Sequence, residues 1–87
     1  MLIKEDRKPM TRNDFFNELA FLLDEEPSKV NELNDFRANP NYNSLVAIGI
    51  TAMLEEKIGA KIDIWQLRDL KNVGELMDLV GREKFEE

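Results

Sequence analysis

The sequence contains no cysteine and no histidine. Without cysteine there is no disulfide, no thiolate nucleophile and no sulfur-based metal site. Without histidine the chain lacks the usual general base near neutral pH and the commonest metal ligand. Long apolar runs are missing as well. Leu45–Leu54 is the longest mainly apolar stretch, about half of what a membrane-spanning helix needs. Lys4, Glu5, Asp6, Arg7 and Lys8 follow directly on the first three residues, which does not suit a secretory signal. A cytoplasmic location is the expectation.

What is present is one small domain's worth of chain. Eighty-seven residues, 43% of them hydrophobic, can build a single compact core. Eighteen acids against twelve bases give a formal charge of −6. That balance repels nucleic acid and anionic membranes and attracts basic partner surfaces. No nucleic acid and no membrane insertion are expected.

Residues 1–9 read as a flexible arm, 10–82 as the folded domain, and 83–87 as a solvated tail. Thr11 can cap a first helix, with Asp14 three residues on. Met10 and Phe15 are placed to staple its start. Phe15, Phe16, Leu19, Leu22 and Leu23 recur at spacings of three and four, an apolar stripe that needs a partner surface. Pro27 ends that helix near Asp24–Glu26. Residues 27–42 form a long connection rich in turn formers, with Val30, Leu33 and Phe36 as inward anchors.

Asn43 is a good N-cap for a second helix running to Lys57 or Ile58, and Gly59 is its natural stop. Leu45, Ile48, Leu54 and Ile58 are its expected core contacts. No charge occurs from Ser44 to Met53, and Glu55, Glu56 and Lys57 follow only afterwards. Asp63 can cap a short third helix over Ile64–Leu70, with Leu67 and Leu70 inward. Asn72 and Glu75 form a capping-box pattern for a last helix ending at Gly81. No strand alternation is convincing. The expected fold is all-α: a four-helix bundle with three main helices, one short third helix and a long first loop.

The chemistry legible in the residues is sparse. The adjacent pairs Glu25–Glu26, Glu55–Glu56 and Glu86–Glu87 diverge around a helix and read as solvated charge. The four glycines make no phosphate-binding loop. Ser44 opens a helix, where a hydroxyl is reachable and an attached phosphate is favoured by the helix dipole. As a nucleophile it lacks a base. No catalytic residue and no metal ligand is assigned, and no intrinsic enzyme activity is expected.

The run Asn43-Ser44-Leu45 opens an apolar helix that ends in Leu54-Glu55-Glu56-Lys57-Ile58-Gly59. Ile62, Leu67, Leu70, Asn72-Val73-Gly74-Glu75 and Leu76 follow, and Phe36 stands in the long loop upstream. In this order and spacing, over roughly residues 11–81, the chain resembles an acyl or peptidyl carrier protein. The family pattern is Asp-Ser-Leu at the start of its second helix. The resemblance implies a 4′-phosphopantetheine arm on Ser44, installed from coenzyme A by a phosphopantetheinyl transferase with magnesium. The arm's thiol would hold an acyl or related group as a thioester, so the reactive sulfur would belong to the cofactor. Partners would be that transferase and acyl-activating, acyl-transfer or condensing enzymes, met by a monomeric carrier.

In that reading Ile48, Leu54, Leu67, Leu70 and Leu76 line a cleft for an apolar acyl chain. Leu45, Val46, Gly49, Glu55, Glu56 and Trp65 meet partner enzymes. Asn43 replaces the family's Asp, keeping the helix cap and losing the charge. Val46 and Gly49 occupy positions that are commonly acidic in carriers of fatty-acid synthesis. Tyr42 fills the site before the motif, where some specialised carriers have Trp. Asn43, Tyr42 and Pro40, which replaces a usually apolar loop position, together point to a specialised biosynthetic pathway, and Val46 and Gly49 to a more apolar docking face. The alternative is an unmodified, carrier-like protein–protein interaction domain.

Overall fold

The structure is a computed structural model that describes residues 10–86. The expected arm at 1–9 lies outside the described residues, as does residue 87. Four α-helices carry the fold among the described residues: α1 (Arg12–Leu23), α2 (Ser44–Ile58), α3 (Ile64–Leu67) and α4 (Val73–Val80). The all-α bundle with a short third helix and a long first loop is what the structure shows.

Each helix begins where a short polar side chain satisfies an otherwise unpaired backbone N–H. Thr11 Oγ1 accepts from Asp14 N at 3.0 Å and Asn43 Oδ1 from Val46 N at 2.9 Å. Asn72 Oδ1 accepts from Glu75 N at 2.9 Å. Asp63 and Gln66 form a reciprocal capping box on α3. The expected box on α4 is displaced by one residue, because Glu75 Oε1 accepts from Lys71 N rather than from Asn72. Asp24 ends α1 in the left-handed region, and its N–H turns back to Ala20 and Phe21. α2 ends at Gly59 with φ 72°, a conformation that glycine adopts at no steric cost.

One apolar cluster joins the elements. Phe15, Leu19 and Leu23 from α1 meet Ile50 and Leu54 from α2, Leu67 from α3, and Val73, Leu76 and Met77 from α4. All of these are fully enclosed. Gly49 lies where α1 and α2 meet, facing Leu22. A Cβ there would sit 3.1 Å from Leu22 Cδ2.

The long connection is pinned rather than loose. It contains single 3₁₀ turns at Pro27–Lys29 and Phe36–Ala38. Val30 and Phe36 are buried as expected, but Leu33 is 87% exposed. The reason is backbone bonding. Asn31 Oδ1 accepts from Leu33 N and makes a tight turn. On either side, the carbonyls of Glu32 and Asn34 accept from Gly74 N at 2.8 Å and Val73 N at 2.9 Å. The loop thus satisfies two N–H groups at the start of α4, and the turn between those contacts faces its side chain outward. Asn41 Nδ2 donates to the Leu23 carbonyl at the end of α1 at 3.0 Å. Arg37 Nη1 donates to the Leu70 carbonyl at 3.0 Å.

Residues 83–86 are not a solvated tail. Phe85–Glu86 (β2) pairs in parallel with Met10–Thr11 (β1). Phe85 is buried with its ring centroid 4.9 Å from that of Phe15. The folded unit therefore extends beyond residue 82. The charges around Phe85 are solvated, while its ring fills the space beside α1.

Glu32 ties the loop to both ends of this unit. Its carboxylate pairs with Arg12 at the start of α1 and, at 2.8 Å, with Arg82 after α4. The hydrogen bond from Arg82 is the main cause that holds the Glu32 carboxyl below the usual carboxylate range. Desolvation opposes this shift, and Arg12 adds to it. A carboxylate whose folded pKa lies below its unfolded value contributes stability above the unfolded value. That contribution is lost as pH falls through the folded value. Glu32→Gln is therefore expected to lower the urea midpoint at pH 7 and to have a smaller effect near pH 3. An equal effect at both pH values would remove the ion pairs from the account.

Candidate functional site

Ser44 is the first residue of α2, immediately after the Asn43 cap, and its side chain lies at the surface. Asn43 is also exposed, but its side-chain oxygen is committed to Val46 N and its carbonyl to Ala47 N. Tyr42, one residue further upstream, is half-buried. Its ring stands edge-on to Phe36 at 5.7 Å, and burial pushes its phenol pKa up, with Arg37 opposing. The aromatic pair anchors the chain that enters α2 and leaves the next two residues in solvent.

The exposed face that starts at Ser44 differs from the one the sequence suggested. Leu45 and Ile48, expected in the core, are 78% and 51% exposed, and Ala47, Ile50 and Met53 join the expected Leu54 in the core instead. At about 100° per residue, Ala47, Ile50 and Leu54 lie opposite Leu45, Ile48 and Ala52, with Met53 at their flank. The outer face of α2 is thus apolar over its first half and acidic at Glu55 and Glu56.

Of the expected partner contacts, Leu45, Glu55 and Glu56 are exposed on this face. Trp65, at the start of α3, is 62% exposed with the Arg68 guanidinium 5.3 Å from its ring centroid. Val46 and Gly49 do not belong with them. Val46 packs against the core, and Gly49 lies where α1 approaches through Leu22. Phe21, at 82% exposure on α1, is a further bare aromatic that the sequence pattern left unassigned.

Among the described residues, the five side chains expected to line an acyl cleft do not share an open surface. Leu54, Leu67 and Leu76 are completely enclosed, Leu70 is half-buried, and Ile48 lies outside the core. In so small a bundle these leucines are needed to fill the space between the helices. An open depression of about 500 Å³ lies instead where α2 gives way to α3, lined by Glu55, Lys61, Ile62, Asp63 and Gln66.

Among the described residues, no group of three or more acidic side chains is arranged to hold a metal ion. No described helix is long and apolar enough to cross a membrane. No protein-family model matches the chain, and no curated protein or solved structure is significantly similar to it.

Proposed function

We propose that the protein is a carrier whose Ser44 holds a 4′-phosphopantetheine arm and presents an acyl or related group to partner enzymes. The observation that carries this reading is the position of Ser44: an exposed hydroxyl at the first position of a fifteen-residue helix, beside an uncovered apolar face. A phosphodiester at that position is favoured by the positive end of the helix dipole. When attached, the arm supplies a thiol that this cysteine-free chain does not have.

The chain's own residues have simple roles in this proposal. Ser44 provides the oxygen, Asn43 holds the first turn of α2, and Phe36 with Tyr42 fixes the loop that leads to it. Leu45, Ile48 and Trp65 offer apolar contacts to a modifying or acyl-handling enzyme. Glu55 and Glu56 suit a basic patch on its rim. The same apolar face also supports the second reading, an unmodified interaction domain that docks without an arm.

Incubation with coenzyme A, magnesium and a broad-specificity phosphopantetheinyl transferase separates the two. In the expected reaction the Ser44 oxygen forms a phosphodiester, and the hydroxyl proton and the nucleotide half of coenzyme A leave. Intact-mass analysis should show one added arm on the wild type and none on Ser44→Ala. An unchanged wild-type mass with several transferases would favour the interaction domain.

A further inference from the structure

We infer that the outer face of α1 around Phe21 docks an arginine-bearing segment of a partner protein. This surface is separate from Ser44 and does not depend on the carrier reading. Three observations carry it. The first is the isolation of the ring. Phe21 is 82% exposed, more than any other aromatic side chain among the described residues. It lies about 160° around the helix from both Leu19 and Leu23, which are fully enclosed, so it adds nothing to the core. Its neighbours three and four positions away are Asn17 and Glu18 on the helix and Asp24 and Glu25 at its exit, none of them apolar. The ring, Ala20 and Pro27 line an open hollow of about 370 Å³ that Asn17, Asp24 and Glu25 complete.

The second is charge. From Asn13 to Ser28 the chain holds five acids and no base, whereas the rest of it holds thirteen acids against twelve bases. Five of the six net negative charges therefore belong to α1 and the turn that follows it. Two of these acids are engaged locally: Glu25 Oε2 accepts from Asn39 Nδ2 at 3.5 Å, and Glu26 stands 4.0 Å from Lys29 Nζ. Asp14, Glu18 and Asp24 have no ion-pair partner among the described residues. A field of one sign over so short a stretch favours a cationic partner and repels an acidic one.

The third is a precedent within the molecule. Trp65, the other strongly exposed aromatic, carries the Arg68 guanidinium 5.3 Å from its ring centroid. The bases nearest Phe21 in sequence, Arg12 and Lys29, turn to Glu32 and Glu26 instead. Phe21 is thus an aromatic face beside carboxylates with no cation over it among the described residues. Arginine suits both features at once, because its planar guanidinium stacks on a ring and also pairs with a carboxylate. Lysine brings only a point charge, and a purely apolar segment would leave the carboxylates unmatched.

The test is an NMR titration of the full, isotope-labelled chain with short peptides of equal length that alternate glycine with arginine, with lysine or with glutamate. The arginine peptide should shift the amides of Asn17, Glu18, Phe21 and Asp24 more than those around Glu56 and Glu83. It should bind more tightly than the lysine peptide, and the glutamate peptide should shift nothing. Phe21→Ala should weaken the arginine peptide about two- to fivefold and leave the urea midpoint in place. Glu18→Gln combined with Asp24→Asn should weaken it about fivefold, and asparagine tolerates the left-handed backbone that residue 24 adopts. Shifts spread evenly over the acidic surfaces, or undiminished binding by Phe21→Ala, would overturn the inference. So would a Phe21 amide that moves with protein concentration alone, which would assign the face to a second copy of the chain. Every outcome is read with no arm on Ser44, so none of them bears on the carrier reading.

Discussion

Phe36→Ala should destabilise the protein by about 3–5 kcal/mol, the usual range for a large aromatic removed from a packed interior. In a domain whose whole stability is about 5–15 kcal/mol, that is enough to leave a substantial unfolded fraction. The expectation rests on where Phe36 sits. It is fully buried although it belongs to a connection rather than to a long helix. Its ring carries Tyr42 edge-on, and Tyr42 directly precedes the Asn43–Ser44 start of α2. The loop around it also feeds hydrogen bonds to α4 and to the end of α1. Truncation thus leaves a cavity and loosens the segment that delivers Ser44. Urea unfolding measures the loss. A change below about 1 kcal/mol, the level of an ordinary point substitution, would mean that the loop is not part of the core.

A pair of substitutions on α2 should differ by several kcal/mol although both shorten the same side chain. Leu54→Ala removes a completely enclosed group and should cost about 2–5 kcal/mol. Leu45→Ala trims a leucine that is 78% exposed, and should lie within about 0.5 kcal/mol of wild type. The contrast measures the rotational setting of the helix directly. Comparable losses at the two positions would mean that α2 is turned so that Leu45 faces inward. The uncovered face beside Ser44 would then not exist.

That rotational setting is also the part of the fold least legible in the sequence. In α1, polar residues interrupt the apolar ones and fix which side faces in, so Phe15, Leu19 and Leu23 are read correctly. From Ser44 to Met53 no charge interrupts α2. Periodicity there is compatible with more than one orientation, and Leu45 and Ile48 were assigned inward when Ala47 and Ile50 are. The helix starts and two of the stops are legible because single side chains decide them, Thr11, Asn43, Asp63 and Asn72 at the starts and Gly59 and Gly81 at the stops, whereas α3, expected to run to Leu70, ends at Leu67, where no glycine or proline marks the stop. Phe85 is hidden by its neighbours Lys84 and Glu86, and the two-residue pairing that holds it has no period to detect. Leu33 fails for the opposite reason. Its apolar character suggests burial, and hydrogen bonds made by Asn31, Glu32 and Asn34 decide otherwise.

For the candidate site, the sequence locates the reachable serine and the acidic end of α2. It does not distinguish an open cleft from a filled core, because Leu54, Leu67 and Leu76 have the same spacing in both cases. Only the packing of the helices shows that these side chains are fully enclosed.

The central claim concerns one oxygen atom, and the most direct measurement is fragmentation mass spectrometry of the intact protein taken from the cells that make it. The account predicts a phosphopantetheine group, with or without cargo, confined to the fragment that contains Ser44. A protein recovered from those cells with a bare Ser44 throughout would contradict it.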